Sequence, residues 1–343
     1  MISLNIKSLK KKNINLGLEI LRMFMSFWVV LNHCYKTDNK KMNNIIFRHR
    51  FHVPSFIIMS FYFLNNNLKT RNIKKVKSRL ERLIIPYIVY PIIFLIINNL
   101  LYKCFNINNK IHFIKLIKQL LIGRGYYGVL WFQFNLILLT IAFYIISFLF
   151  YNNYLFILQI IGILAYIIQY SNLNFIFFNK YKNHVKFSVG YIAETIPLAT
   201  TGLTISSIDL INKIKKYRIK NIIFLIMFIF ILFKYNIFTS IKGFGKQGFM
   251  HNIGGLFFFI LFSLFPLNNC KDKKIINIIN NLTNFTPGIY FLHIIVYKTL
   301  KKCINLVRAK TLLGCIIIYL ICYLISFIFY KKLKNTKLSY LFL

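Results

Sequence analysis

From Leu16 onward, the chain alternates between long apolar runs and short polar connections. A helix that crosses a bilayer needs about 20 mostly apolar residues, and windows of that kind recur along the whole chain. They lie at residues 16–35, 51–68, 83–104, 130–151, 154–171, 186–207, 221–240, 250–267, 284–301 and 311–330. The pattern predicts an all-α, polytopic membrane bundle of about ten transmembrane helices in one domain, residues 1–343.

The connection between the third and fourth predicted spans has a helical pattern of its own. Basic and polar residues share one side of residues 110–121 and apolar residues share another, which predicts a helix lying in the membrane interface. The glycine-rich segment 123–128 follows and leads into Trp131. That segment fits either a lid over an active site or a re-entry turn with an interfacial aromatic residue.

The net charge of +39 changes this picture little. Lysines are spread over nearly every connection among Asn and Ile residues, which indicates a biased composition rather than a nucleic-acid site. We therefore expect no nucleic-acid partner, although lysines beside the spans can hold anionic membrane lipid. In the ten-span arrangement, Lys and Arg divide almost evenly between the two sides of the membrane. The dense basic cluster at residues 69–82 favours a cell-membrane protein with cytoplasmic termini.

Six cysteines are scattered along the chain without a C-x-x-C pair or any metal-ligand spacing. The sequence therefore predicts neither a metal site nor a haem site. The first apolar run is about 20 residues long and has no small-residue cleavage site after it. We expect it to remain as a membrane span.

Candidate chemistry is concentrated in that first span, where Arg22 precedes His33 by eleven residues. An ionised guanidinium in hydrocarbon is costly, so it requires a partner, a ligand or water. Eleven helical steps return to within about 20° of the starting direction and rise about 16 Å. We therefore expect both side chains to face one crevice at different depths.

Only six acidic residues occur, and two of them lie inside predicted spans. Glu19 is one helical turn before Arg22, so the two can form an ion pair, either within the site or simply at the membrane edge. Glu194 has no basic neighbour within a turn of its own helix, which favours a position facing a cavity or a partner on another helix. Pro197 and Gly202 in the same span allow a kink that opens space beside it.

One further histidine and two arginines complete the candidate set. His293, in the ninth predicted span, supplies either a second imidazole to the same site or a hydrogen-bond donor for helix packing. Arg79 and Arg82 stand one turn apart before the third span, so both guanidiniums are expected to face one direction. That pair fits either a phosphate clamp or a solvated positive flank.

In their order along the chain, these features resemble the acyltransferase family 3 membrane proteins, which move acetyl or similar groups onto sugar hydroxyls of surface glycans. The most specific feature is an Arg/Lys-x10-His signature in the first span, matched by Arg22 and His33, with the family's acid at Glu19. Less specific matches are Val53 to Tyr62, with Phe61 in place of the usual glycine, then Arg79 to Arg82 followed by Pro86 and Tyr87, Leu130 to Phe132, and Ile289 to His293.

The resemblance implies a ten-span acyltransferase core that takes acetyl-CoA or another acyl-CoA from the cytoplasm and acylates a glycan or lipid-linked sugar on the other side. We expect no second, hydrolase-like domain. His33 is then the candidate base, and Glu194 either orients it or binds the acceptor sugar. The CoA-binding candidates are Arg22, Arg79, Arg82 and Glu19, and the substrate-binding candidates are Ser60, Tyr62, Trp131 and His293.

Two other classes of membrane protein remain open. A polytopic transporter or flippase of a glycan-lipid or solute also buries ionisable groups, but the internal symmetry or matching broken spans that would indicate it are not evident. A glycan polymerase or ligase would be expected to have larger external loops with several arginines.

Overall fold

The computed structural model describes residues 15–35, 51–105, 113–123, 130–170, 185–215, 222–223, 226–227, 249–265, 272–303 and 311–341. All regular structure in these ranges is helical, which confirms the all-α prediction. In chain order the helices are α1 (Leu16–Cys34), α2 (His52–Lys69), α3 (Ile73–Phe105), α4 (Phe113–Leu121), α5 (Trp131–Leu149), α6 (Tyr154–Tyr170), α7 (Val185–Ser207), α8 (Leu210–Lys215), α9 (Phe249–Ser263), α10 (Lys273–Thr283), α11 (Thr286–Cys303) and α12 (Leu312–Leu333), and a 3₁₀ turn follows at Lys337–Leu341.

The long helices occupy the windows that the apolar pattern marked. The largest difference is in the third window, where α3 begins at Ile73 instead of residue 83 and continues for 33 residues. A helix of that length spans about 50 Å, whereas the hydrocarbon core is about 30 Å thick. The predicted seventh span, 221–240, and the glycine-rich residues 124–128 lie almost entirely outside the described residues.

Three of the described helices are long and apolar enough to cross a membrane: Ile73–Leu100, Trp131–Leu149 and Leu312–Leu333. Helices α6 and α9 are apolar but shorter. Large apolar side chains on the three long helices point outward, as Ile96, Phe148 and Leu324 do, with about half or more of their surface exposed. Such faces are suited to lipid, so the protein is a membrane protein. The count of about ten spans is not confirmed.

Helix α1 lies between two apolar clusters. Leu21 and Met25 pack into a cluster built mainly from α2, α5, α7 and α9. Val30 and Leu31 pack into a second cluster built mainly from α3, α11 and α12. The polar residues of α1 are therefore placed at the junction of the two halves of the bundle.

The backbone of α2 approaches those of α7 and α9 closely. A Cβ at Gly202 on α7 would clash with the carbonyl oxygen of Ile58, and a Cβ at Gly255 on α9 would clash with Pro54. Small residues permit this kind of approach between membrane helices. The structure thus explains Gly202 by packing, and α7 remains helical through Pro197.

Helix α4 forms within residues 110–121, where the sequence predicts a separate helix, and its interfacial position remains a prediction. Leu116 is buried, and Leu120 accepts a hydrogen bond from the hydroxyl of Tyr87 on α3. Phe113 and Ile114 are exposed, as an interfacial helix requires for contact with lipid. The helix ends at Leu121, and the turn that follows includes Gly123, whose φ of +74° favours glycine.

Candidate functional site

Arg22 sits almost two turns into α1, where its guanidinium is held from two sides. The Asn15 side chain caps the helix by accepting from the Leu18 amide, and Glu19 lies in the first turn. Nη1 of Arg22 is 2.8 Å from Oε2 of Glu19, and Nη2 donates to Oγ1 of Thr286 at 3.2 Å. The predicted ion pair is present, and the guanidinium also contacts α11.

The Arg22 side chain is 27% exposed, and the Glu19 side chain 22%. A guanidinium has five N–H donors, and the two contacts use only two of them. Arg22 is therefore fixed in direction while part of its charge remains accessible to an anionic ligand.

His33 lies in the last turn of the same helix and faces α11 as well. Its ring centre is 5.2 Å from that of His293, with the ring planes 44° apart. His33 is exposed, whereas His293 is fully buried. Because Arg22 meets the beginning of α11 and His33 meets its middle, α1 and α11 run parallel with both candidates on one shared surface.

The hydrogen bonds of His293 define its tautomer. Nδ1 lies 2.6 Å from the carbonyl oxygen of Tyr290 and 3.3 Å from that of Ile289. Carbonyl oxygens only accept, so the neutral ring carries its proton on Nδ1 and its lone pair on Nε2. Nε2 is buried and has no hydrogen-bond partner among the described residues.

An aromatic series connects the histidine pair to Trp131. The ring centre of Tyr290 is 6.3 Å from that of His293 and 6.0 Å from that of Phe132 on α5. Phe132 in turn is 6.2 Å from Trp131. The structure thus brings His33, His293 and Trp131 toward one aromatic surface where α1, α5 and α11 meet.

A second polar group lies beside His33. Nδ2 of Asn32 donates to the carbonyl oxygen of Trp28 at 3.2 Å and lies 3.5 Å from Nδ1 of His52, which is buried at the start of α2. His52 is therefore inside the bundle, at the end of α1 that bears His33.

Arg79 and Arg82 do not share one environment. Nε of Arg79 donates to Oγ1 of Thr140 at 3.2 Å, while Nη1 and Nη2 donate to the carbonyl oxygen and Oγ of Ser60 at 3.1 and 2.7 Å. The Phe61 ring lies beneath the guanidinium, 5.5 Å away. These contacts join α2, α3 and α5, and they use Ser60 as a partner of Arg79.

Arg82 is exposed, and the hydrogen bond described for its side chain is Nε to the carbonyl of Ser78 on its own helix, at 3.3 Å. Its charge is therefore open to a ligand, while that of Arg79 is engaged inside the bundle. A joint phosphate clamp remains a prediction for these two residues.

Glu194 is 1% exposed, deep in α7. The next residue, Thr195, accepts a hydrogen bond from Nδ2 of Asn135 on α5 at 2.9 Å. The helix packs mainly on α2 and α6. The carboxyl group is thus internal, and its action on His33 or on a sugar remains a prediction.

Tyr62, the last substrate-binding candidate, is partly buried between α2 and α9. Its ring centre is 5.3 Å from that of Phe259. Phe61, which replaces the family's glycine, is fully buried and packs 5.4 Å from Phe143. In the described part of the chain, no group of three or more His, Cys, Asp or Glu residues could hold a metal ion.

Thr286 and Tyr290 are the functional candidates that the sequence alone did not reveal. Both become relevant because α11 pairs with α1, and pairing between helices so distant in sequence cannot be read from either one. A threonine ahead of Pro287 and Gly288 signals only the start of a helix.

A family model described as an acyltransferase domain, family 3, matches residues 15–331. The match begins at the capping residue of α1 and ends in the last turns of α12, so it contains every candidate residue above. No curated protein and no solved structure matches the chain.

Proposed function

Because this chain belongs to the acyltransferase 3 family of membrane proteins, we propose that it moves an acetyl or similar acyl group from acyl-CoA to a hydroxyl of a glycan or lipid-linked sugar. The observation that supports this most is the pairing of α1 with α11. It places an anchored cation and an accessible imidazole along one surface, beside a second, buried imidazole.

Arg22 supplies the donor anchorage in this proposal. Its free N–H groups bind phosphate oxygens of CoA, and Glu19 and Thr286 keep it from turning away. The helical rise from Arg22 to His33 is about 16 Å, comparable to an extended pantetheine arm. The nucleotide can then stay at the mouth while the thioester reaches His33.

His33 is the proposed base. It takes the proton from the acceptor hydroxyl as the hydroxyl oxygen attacks the thioester carbonyl. A C–O bond forms, the C–S bond breaks, and the proton passes from His33 to the departing CoA thiolate. The products are the O-acyl sugar and free CoA thiol.

The remaining candidates take supporting roles. Arg82 adds positive charge that binds the donor. Arg79 joins α3, the helix that carries Arg82, to α2 through its hydrogen bond to Ser60. Trp131 and Tyr62 line the path of acyl group or sugar, and Glu194 binds the acceptor or orients the base. Acyl-CoA is the only cofactor required by this chemistry.

We further propose about ten spans with cytoplasmic termini. Helices α1, α2, α7 and α11 have 18 to 23 residues each, about 27 to 35 Å of helix, which is sufficient for a bilayer. Their mean hydropathy is lowered by polar residues such as Arg22, Asn65, Glu194 and His293, and all four contact other helices or are buried within the bundle. Apolar helices on the outside would shield them from lipid.

The test uses membranes that contain the protein, labelled acetyl-CoA and a glycan or lipid-linked acceptor. We expect label to enter the acceptor with the wild-type chain, and a rate lower by about 10²–10⁴-fold with His33→Ala. Arg22→Ala should chiefly raise KM for the donor. Lys337→Ala, on an exposed side chain outside the matched region, is the control. Wild-type transfer by both site variants at equal protein levels would refute the assignment.

A further inference from the structure

We propose that His293 is the positioning residue for His33. In this arrangement, Nε2 of His293 accepts a hydrogen bond from one ring N–H of His33, so that the other ring nitrogen presents its lone pair to the acceptor hydroxyl. This inference rests on the proposed function, and it gives His293 a role different from lining the substrate pocket.

The first support is the fixed tautomer of His293. Two backbone carbonyls, those of Tyr290 and Ile289, receive its Nδ1 proton. They belong to the preceding turn of α11, so the ring is held by its own helix. Nε2 is therefore an acceptor with a set direction, as the carboxylate is in a Ser-His-Asp triad.

The second support is the unused acceptor. Nε2 of His293 is buried and has no hydrogen-bond partner among the described residues. Buried polar atoms in folded proteins are nearly always satisfied, so such an atom beside a reactive centre calls for a partner. The imidazole of His33 is the donor that lies against this ring.

The third support is the distance between the ring centres of His33 and His293. A hydrogen bond of about 3 Å between two imidazole nitrogens places the ring centres about 5 Å apart, since each nitrogen lies about 1 Å from the centre of its ring. The observed separation of His33 and His293 is 5.2 Å. A small rotation of the His33 side chain is therefore enough to align N–H with lone pair.

The two rings also differ in the way this role requires. His33 is exposed, so its outer nitrogen can reach a substrate, while His293 is fully buried and cannot. The contact of Arg22 with Thr286 fixes the register of α1 against α11. His293 therefore acts through His33 and not on the substrate.

The test compares His293→Gln, His293→Asn and His293→Leu in the labelled acyl-transfer assay. The amide oxygen of Gln reaches the position of Nε2, whereas that of Asn reaches only the position of Nδ1. We expect Gln to retain kcat within about tenfold of wild type and Asn and Leu to lose about 100-fold, with KM for acyl-CoA within about twofold in all three.

Thermal stability and protein level of each variant provide the folding control. Should the Leu variant fail to fold, the comparison of Gln with Asn decides the matter, because the two side chains differ by one methylene. Equal kcat for Gln and Asn, or a Leu variant with wild-type kcat, would overturn the inference. If His33→Ala is inactive in the same experiment, that result leaves the proposed function standing; if His33→Ala is fully active, the function assignment itself fails.

Discussion

Arg22 and Thr286, 264 positions apart in sequence, are joined by a hydrogen bond of 3.2 Å from Nη2 to Oγ1. The same threonine hydroxyl donates to the carbonyl oxygen of Thr283 at 2.9 Å, so it both donates and accepts a hydrogen bond. Thr286 is 3% exposed. The guanidinium is thus oriented by a buried group whose own direction is fixed.

Replacing Thr286 with Val tests that orientation. Val keeps the shape but removes the acceptor, so of the two described contacts Arg22 keeps the one with Glu19 and becomes freer to turn. We expect KM for acyl-CoA to rise about three- to tenfold with a smaller change in kcat, which corresponds to losing about one hydrogen bond. Thr286→Ser, which keeps the hydroxyl, should stay within about twofold of wild type. An unchanged KM in the Val variant would argue against this contact.

Most of the helices were predictable, because an apolar run of about 20 residues is the sequence pattern of a membrane helix. The start of α3 was not predictable in this way, since residues 73–82 are strongly basic and extend the helix beyond the apolar window. Likewise, the i, i+3 spacing of Arg79 and Arg82 predicts a common direction, but Ser60 and Thr140 on other helices draw the first guanidinium inward. The direction of such a side chain depends on partners from distant segments, and spacing within one helix carries no information about those partners.

Arg79 and Arg82 should therefore respond differently to substitution. Arg79→Lys cannot maintain three hydrogen bonds to Ser60 and Thr140, and each such bond to a charged group is worth about 1.5–3 kcal/mol. We expect a lower thermal midpoint in detergent and little folded protein.

Arg82→Lys replaces an exposed guanidinium whose described hydrogen bond is to its own helix. Its thermal midpoint should match wild type, and any effect should be confined to KM for acyl-CoA. Thermal unfolding followed by the fluorescence of the detergent-solubilised protein measures the difference. Equal midpoints for the two variants would contradict the structural role given to Arg79.

Gly202 is a second position where the structure explains the residue and the sequence alone could not. A glycine near Pro197 suggested a kink, but the space that Gly202 leaves is filled by the backbone of α2 at Ile58. Knowing this requires knowing that α2 and α7 are neighbours.

Gly202→Ala should destabilise the protein. The added Cβ would clash with the Ile58 carbonyl, and backbone cannot yield as a flexible side chain can. Overpacking of this kind costs about 1–3 kcal/mol, so we expect a thermal midpoint lower by several degrees. Ile163→Ala on the outward face of α6, where the side chain is 61% exposed, is the control and should change the thermal midpoint little. Identical midpoints would indicate that α2 and α7 are not in contact.

The 3₁₀ turn at Lys337–Leu341 returns along α3 and is anchored at two points of unequal strength. Nζ of Lys337 is 2.9 Å from Oε1 of Glu81, but the lysine side chain is 69% exposed, so this pair contributes little. Leu341 is 4% exposed, and its carbonyl oxygen accepts a hydrogen bond from the fully buried hydroxyl of Tyr90. The inner anchor therefore holds the turn.

Tyr90→Phe leaves the Leu341 carbonyl without its described donor in an apolar environment, where the Tyr90 ring stacks 4.4 Å from Phe291. The expected cost is about 1–3 kcal/mol, and the thermal midpoint should fall by several degrees. Lys337→Ala, which removes only the outer ion pair, should leave the midpoint within about one degree. Loss of stability in the Lys337 variant without loss in the Tyr90 variant would show that the outer pair, rather than the buried hydroxyl, fixes this turn to the bundle.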